Sequence, residues 1–167
     1  RVLSKIDNIW TKYIQEILIV DNISSDKSID KALFFSDNLS NFKFKIIQNH
    51  HNINLGGSHK VAFQYAKENQ YDYIVVLHGD DQANIKDLFH QFKQNIHLNF
   101  DCLLGSRFMK NSKLINYSKI RILGNLFFNF IFGCLVRKKL YDLGSGLNVY
   151  SVKKFNDDVI MQMPNDL

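Results

Sequence analysis

Proline is almost missing from this 167-residue chain: Pro164 is the only one, and glycine is limited to eight residues. Collagen-like, proline-rich and linker-dominated architectures are excluded by that scarcity. Glutamate is scarce as well. Of 16 acidic residues only Glu16 and Glu68 are glutamates, so aspartate carries the acidic chemistry, and only four of the 21 basic residues are arginines. The two cysteines, Cys102 and Cys134, lie far apart with no CxxC pair and no Cys/His ligand spacing. That argues against a disulfide scaffold or structural zinc site and fits a reducing compartment. Arg1 to Trp10 reads as amphipathic, not as the charged start and apolar block of a secretory signal. The longest uncharged run, Ile122 to Val136, covers 15 residues and contains Asn125 and Asn129. A spanning helix needs about 20 mostly apolar residues, so this run is expected to be too short to cross a bilayer.

Several recognisable devices are missing too. There is no GxGxxG, no P-loop ending, no GxSxG elbow, and no zinc-finger, RNP-like or basic-helix pattern that would imply a nucleic-acid partner. No methionine opens the chain. It reads as a single domain over residues 1–167, cut from something longer.

What is present suits a packed domain: 46% apolar residues, 22% charged and a formal charge of +5 made mostly of scattered lysines. Val2 to Tyr13 places Val2, Leu3, Ile6, Ile9, Trp10 and Tyr13 on one helical face. Strands are expected at Glu16–Asp21, Phe42–Gln48, Tyr73–Leu77 and Cys102–Gly105, with helices at about Lys27–Asn38, Ser58–Asn69 and Ile85–Asn95. Alternation of apolar strands with helices implies an α/β fold, a mostly parallel, Rossmann-like sheet with helices on both faces. In such sheets ligands bind beyond the carboxyl ends of strands.

Three polar tails therefore matter: Asp21 to Asp26, His78 to Gln82 and Gly105 to Arg107. In His78-Gly-Asp-Asp-Gln82, adjacent carboxylates at a strand end need a compensating cation, and Mg²⁺ or Mn²⁺ with phosphate would supply one. A turn with a helix cap fits the same residues. In Asp21-Asn22-Ile-Ser24-Ser-Asp26, Asp21 is suited to binding a ligand and Ser24 to Asp26 to capping. Asn54-Leu-Gly56-Gly-Ser-His-Lys60 puts glycines before a helix, a weak anion signal. His50, His51 and His59 read as solvated loop residues. Arg107 and Arg121 suit bidentate phosphate contacts, with a plain surface role open for Arg121. Asp142-Leu-Gly-Ser-Gly reads as a turn.

Read in order, these segments resemble the family 2 glycosyltransferases of GT-A fold, particularly the dolichol-phosphate mannosyltransferase-like and bacterial polysaccharide branches. The resemblance runs from Arg1 to about Phe155. It rests on Val20-Asp21-Asn22-Ile-Ser24-Ser-Asp26, on Asn54-Leu-Gly56 with Ala62, on Tyr71 to Gln82, and on Gly105-Ser106-Arg107, Arg121 with Asn125, and Asp142 with Ser145-Gly146. It implies a nucleoside diphosphate sugar donor held by Asp21, Asn22, Ser24, Asn54, Gly56 and Asp80. It also implies Mg²⁺ or Mn²⁺ held by Asp80 with His78 and Gln82, where His78 replaces the family's first aspartate. Arg107 and Arg121 would clamp phosphate, and Asp142 would serve as base towards a hydroxyl acceptor. The implied reaction is inverting transfer to a polyprenyl-phosphate or glycan acceptor, in cell-surface polysaccharide or glycolipid synthesis. The implied setting is cytoplasmic, at the inner face of the cell membrane, with Ile122 to Val136 either at a membrane surface or in the core. The family's first strand is missing ahead of Arg1, and the far end is expected to be cut short around Met163 to Leu167, so the segment alone is expected to be inactive. A non-catalytic, sugar-nucleotide-binding subunit is the alternative.

Overall fold

The computed structural model describes residues 1–109, 112 and 117–166. Among these residues, five strands form in two sheets. β1 (Glu16–Asp21) pairs in parallel with β2 (Lys43–Gln48), Glu16 opposite Lys43 and Asp21 opposite Gln48. The second sheet has the order β3 (Tyr73–Leu77), β5 (Leu147–Ser151), β4 (Cys102–Leu104). β5 is antiparallel to both neighbours, with Tyr73 opposite Ser151 and Leu104 opposite Asn148.

The expected mostly parallel sheet is thus met in β1–β2 and corrected in the second sheet. The reason is topological. The chain leaves β4 at its carboxyl end, and Gly105 N–H and His78 N–H bond to Leu147 O and Gly146 O at the start of β5. A strand that begins where its neighbours end must run against them. β5 was not foreseen because Leu147 and Asn148 follow directly on the Gly-Ser-Gly turn and look like its continuation.

Helices α1 (Ser28–Asn38), α2 (Asn54–Glu68), α3 (Phe89–Lys93), α4 (Lys119–Val136) and α5 (Asp157–Gln162) complete the chain, with several short 3-10 turns. Two expectations change here. Val2 to Tyr13 is not one helix. Asp7 is extended (φ −120°, ψ 173°) and its carboxylate accepts the Ile9 N–H, dividing the segment into turns at Leu3–Lys5 and Asn8–Lys12. The segment expected to be one helix over Ile85–Asn95 is a 3-10 turn, Ile85–Leu88, running into the short α3.

The core has two parts, one on each face of β3. Tyr73, Val75 and Leu77 pack on a cluster of Trp10, Ile17, Phe42, Ile85, Leu88, Phe92 and Val149. Ile74 and Val76 turn the other way, towards Phe63 of α2 and Ile160 of α5. This is the period-2 alternation of a strand buried on both faces. Trp10 is only 1% exposed, and burial of a large apolar side chain contributes about 2–3 kcal/mol. At the start of β1, Glu16 accepts hydrogen bonds from the Tyr65 and Tyr71 hydroxyls. Burial first, and then Glu16, pushes the Tyr71 hydroxyl up to about 12.

α4 is different. It is 18 residues long, with a mean hydropathy of 1.5 and only 6% of its residues buried. At 1.5 Å per residue it measures about 27 Å. The helix begins three residues before the uncharged run, so it is long and apolar enough to cross a membrane by length and composition, contrary to the estimate from the run alone. The core-helix reading is not met: Asn129 is its one buried residue, while Ile120 is 85% exposed and Leu123 72%.

Candidate functional site

The candidate residues gather into two groups. The first lies at the carboxyl ends of β1 and β2. Asp21 is buried, and its Oδ2 accepts the Ser24 N–H at 3.2 Å and Gln48 Nε2 at 3.3 Å. Asn22 brackets the following loop. Its Oδ1 accepts Asn49 Nδ2 and the Ile53 N–H, both at 3.0 Å, and its Nδ2 donates to Asn52 Oδ1 at 2.6 Å. Asn52 Oδ1 also accepts the Asn54 N–H at 2.9 Å, which ties Asn54 into the same network. The turn between β1 and α1 holds Ile23 at φ 59°. For a β-branched residue that left-handed setting costs roughly 1–3 kcal/mol and persists only where surroundings enforce it. The Ser24 side chain is exposed, and Asp26 takes the expected capping role through the Ser28 N–H.

Gly56 turns out to sit inside the first turn of α2, which starts at Asn54, four residues before the expected Ser58. A Cβ there would lie 2.1 Å from Pro164 O, and the Gly56 N–H bonds to Asn165 O. The chain's own residues 164–166 cover this helix end, with Asn54 Nδ2 donating to Asp166 at 2.6 Å. That close approach accounts for the glycine.

The second group lies at the carboxyl ends of β3 and β4 and the start of β5. The His78 ring is 5.6 Å from that of His59, and His78 Nε2 is buried with no hydrogen-bond partner among the described residues. His59 is half-buried in α2 instead of lying in a solvated loop, and burial, then the neighbouring His78, holds it below the usual histidine range. Asp80 is exposed, and its carboxylate accepts the Gln82 N–H at 3.1 Å, so Gln82 joins the turn through its backbone. Asp81, at φ 65°, pairs with Lys5. Among the described residues, no three His, Cys, Asp or Glu side chains converge on one point.

Arg107 and Asp142 form the strongest contact here. Arg107 donates from Nε (2.7 Å) and its backbone N–H (2.9 Å) to Asp142 Oδ2, and from Nη2 (2.8 Å) to Oδ1. The Asp142 side chain is fully buried and that of Arg107 19% exposed. Burial acts to raise the Asp142 carboxyl, but Arg107 and the Gly144 N–H outweigh it and hold it below the usual carboxylate range. A carboxylate so engaged is a poor proton acceptor, which weighs against the base role expected for Asp142. Arg107 Nη1 also donates to Tyr117 Oη at 3.0 Å, and the guanidinium lies 5.1 Å from that ring centre. Arg121 is exposed at the amino end of α4. Its carbonyl accepts Asn125 Nδ2, which also reaches Tyr117 Oη. The structure therefore brings Arg107, Asp142 and the start of α4 together. No hydrogen bond or ion pair joins this group to Asp21 among the described residues.

Three contributors escaped the sequence reading. Tyr117 carried no motif. Asn129 looked like an interruption of an apolar run, yet its buried amide donates to Tyr141 O (2.9 Å) and accepts from the Leu143 N–H (3.2 Å), fastening α4 to the Asp142 turn. Asn148 in the unforeseen β5 accepts the Gly105 N–H and donates to Ser145 O. An amide recurring in an otherwise apolar helix was the available signal for Asn129.

The arrangement is that of a strand-end site with an acidic turn, an arginine clamp and an adjoining apolar helix. The model of glycosyl transferase family 2 matches residues 1–158. The chain belongs to that family. No curated protein and no solved structure gives a significant match. Membership implies the GT-A α/β fold, sugar transfer, a nucleotide-sugar donor and an acceptor. In this family 2 glycosyltransferase the structure shows a parallel β1–β2 pair and an antiparallel second sheet.

Proposed function

We propose that this glycosyltransferase moves a sugar, with inversion, from a nucleoside diphosphate sugar to a lipid-phosphate acceptor at the inner face of the cell membrane, as in the dolichol-phosphate mannosyltransferase-like branch and in cell-surface polysaccharide or glycolipid synthesis. The observation that carries this reading is the exposed apolar helix α4, fastened through Asn129 to the Asp142 turn. Between α4 and Phe108 lies a groove of about 670 Å³ edged by Lys138 and Lys139. An apolar chain on α4 with its phosphate near Arg121 matches the chemistry of the surface. A phosphate acceptor is already anionic and needs no general base. That agrees with an Asp142 carboxylate fully engaged by Arg107.

On the donor side, Asp21 and Ser24 would hold the nucleoside and Asp80 the diphosphate end. A divalent ion, Mg²⁺ or Mn²⁺, would take the oxygens of the exposed Asp80 carboxylate, with His78 in the same turn as the proposed further ligand. When bound, it would neutralise the charge that builds on the departing diphosphate. Asp142 positions Arg107, and Arg107 keeps a fixed cation beside the acceptor path. A non-catalytic binding subunit is the second reading, favoured by the absence of a three-residue ligand group among the described residues.

Co-sedimentation with anionic phospholipid vesicles tests the assignment. Phe128→Asp, at a position 56% exposed on α4, is expected to reduce vesicle binding several-fold with the fold intact. Unchanged binding would overturn the membrane-surface role.

A further inference from the structure

The corner between Arg107 and the start of α4 holds a hydroxyl whose bonding capacity is only partly used. Tyr117 is half-buried two residues ahead of α4, and its Oη accepts from Arg107 Nη1 and from Asn125 Nδ2, both at 3.0 Å. Neither partner can be turned round. A guanidinium has N–H donors and no acceptor. The Asn125 amide is fixed by its second bond, because Nδ2 also donates to the Arg121 carbonyl at 2.8 Å, and a carbonyl only accepts. A hydroxyl has two lone pairs and one proton. Both lone pairs of Tyr117 are therefore taken, and what it has left to give is the O–H. Among the described residues no acceptor takes that proton.

The surroundings suit an anion as its acceptor. A hydroxyl that receives a bond from a cation gives a stronger one in turn, since chained hydrogen bonds polarise one another. The Tyr117 ring is steadied on two sides, with the Arg107 guanidinium 5.1 Å from its centre and Phe108 edge-on at 6.4 Å. Asp142 offsets the charge of Arg107 through both carboxylate oxygens. The corner thus recognises an anion by directed donors, namely the Tyr117 O–H and the guanidinium N–H groups that Asp142 and Tyr117 leave over. A charged oxygen gains most from such donors.

Position points to the acceptor. Phe108 and Leu126, the neighbour of Asn125, both line the groove of about 670 Å³ along α4. Arg121 stands one turn before Asn125, on the same face of the helix. A head group beside Tyr117 and Arg121 leaves an attached apolar chain free to follow the groove.

We propose that Tyr117 is a substrate-binding residue, its hydroxyl donating to a phosphate oxygen of the acceptor while the acceptor's apolar chain lies along α4. The inference rests on the lipid-phosphate reading of the acceptor and adds to it the residue that sets the preference for a phosphate over a free alcohol.

The test is equilibrium binding to the full chain in detergent, with farnesyl phosphate, farnesol, and the Mg²⁺ complexes of UDP and GDP as separate ligands. The natural chain is expected to hold farnesyl phosphate at least about tenfold more tightly than farnesol, and Tyr117→Phe to lose about tenfold in affinity for the phosphate alone. Farnesol and nucleotide binding should not change. Asn125→Ala leaves the O–H in place and should cost less. Were Tyr117 merely a brace between Arg107 and Asn125, either variant would cut it, so equal losses would overturn the proposal. Parallel losses for farnesol and farnesyl phosphate would overturn it as well. So would weaker nucleotide binding with farnesyl phosphate unaffected, which would place the hydroxyl on the donor diphosphate. Tight farnesyl phosphate binding that Tyr117→Phe leaves intact would remove this inference alone. Farnesyl phosphate held no better than farnesol by the natural chain would remove the lipid-phosphate reading, and this inference with it.

Discussion

Around Asp21 the donors are neutral amides and backbone N–H groups, whereas around Asp142 a guanidinium binds one buried carboxylate through both of its oxygens. The difference teaches where each half of the site draws its precision. Asn22, Asn49 and Asn52 share the shaping of their loop over several modest bonds, each worth about 1 kcal/mol net. Arg107 and Asp142 concentrate it in one pair, in which loss of either partner strands a buried charge. The amide half can deform by degrees. The ionic half holds or fails as a unit.

The largest effect should come from a residue that neither network holds rigidly. Asp80→Ala is expected to lower turnover on the order of a hundredfold or more, with metal dependence weakened. Its thermal transition should barely move, because Asp80 is exposed and makes one local bond. Steady-state kinetics across Mg²⁺ concentrations would check this, and full turnover would remove Asp80 from the donor site.

Next comes the ionic half. Asp142→Ala leaves Arg107 without its partner and should cost about 3 kcal/mol in urea unfolding. Because the folded Asp142 carboxyl is held below its ordinary value, its contribution is complete above about pH 4. It is lost as pH falls through the lower folded value. Acid unfolding of Arg107→Gln should therefore begin at higher pH than that of the natural chain. Coincident acid curves would show that the pair contributes nothing.

The smallest effect belongs to the amide half. Asn22→Ala removes three bonds but leaves neutral partners, of which the buried Asn49 keeps a bond to Ser58, so a loss of about 1–2 kcal/mol is expected. A loss equal to that of Asp142→Ala would erase the contrast between the halves.

Four of the five strands among the described residues were legible nearly to the residue, because Glu16–Asp21, Lys43–Gln48, Tyr73–Leu77 and Cys102–Leu104 are apolar or alternating runs with polar ends. Their carboxyl tails were legible for the same reason. The second sheet's direction was not: it depends on β5, whose five residues follow a glycine turn and whose partners lie more than forty positions away. The role of Gly56 depends on contact with Pro164 and Asn165, far along the chain, and those of Tyr117 and Asn129 on contacts made across turns, which no helix or strand spacing encodes. Asp142 was legible as a position, but its engagement by Arg107, which bears on the base role expected towards a hydroxyl acceptor, is a tertiary fact.

Asn129 has a consequence for how the protein responds to its surroundings. Its amide bonds to the backbone at Tyr141 and Leu143, on either side of Asp142, so the rotational setting of α4 and the seat of the Arg107–Asp142 pair are one variable, not two. Free-energy coupling is reciprocal. If α4 lies on a membrane as proposed, a surface that favours one orientation of α4 would bear on the grip on Arg107. By the same amount, an anion beside Arg107 would bear on the helix's hold on that surface. Adhesion and substrate capture would then be coupled through a single carboxamide.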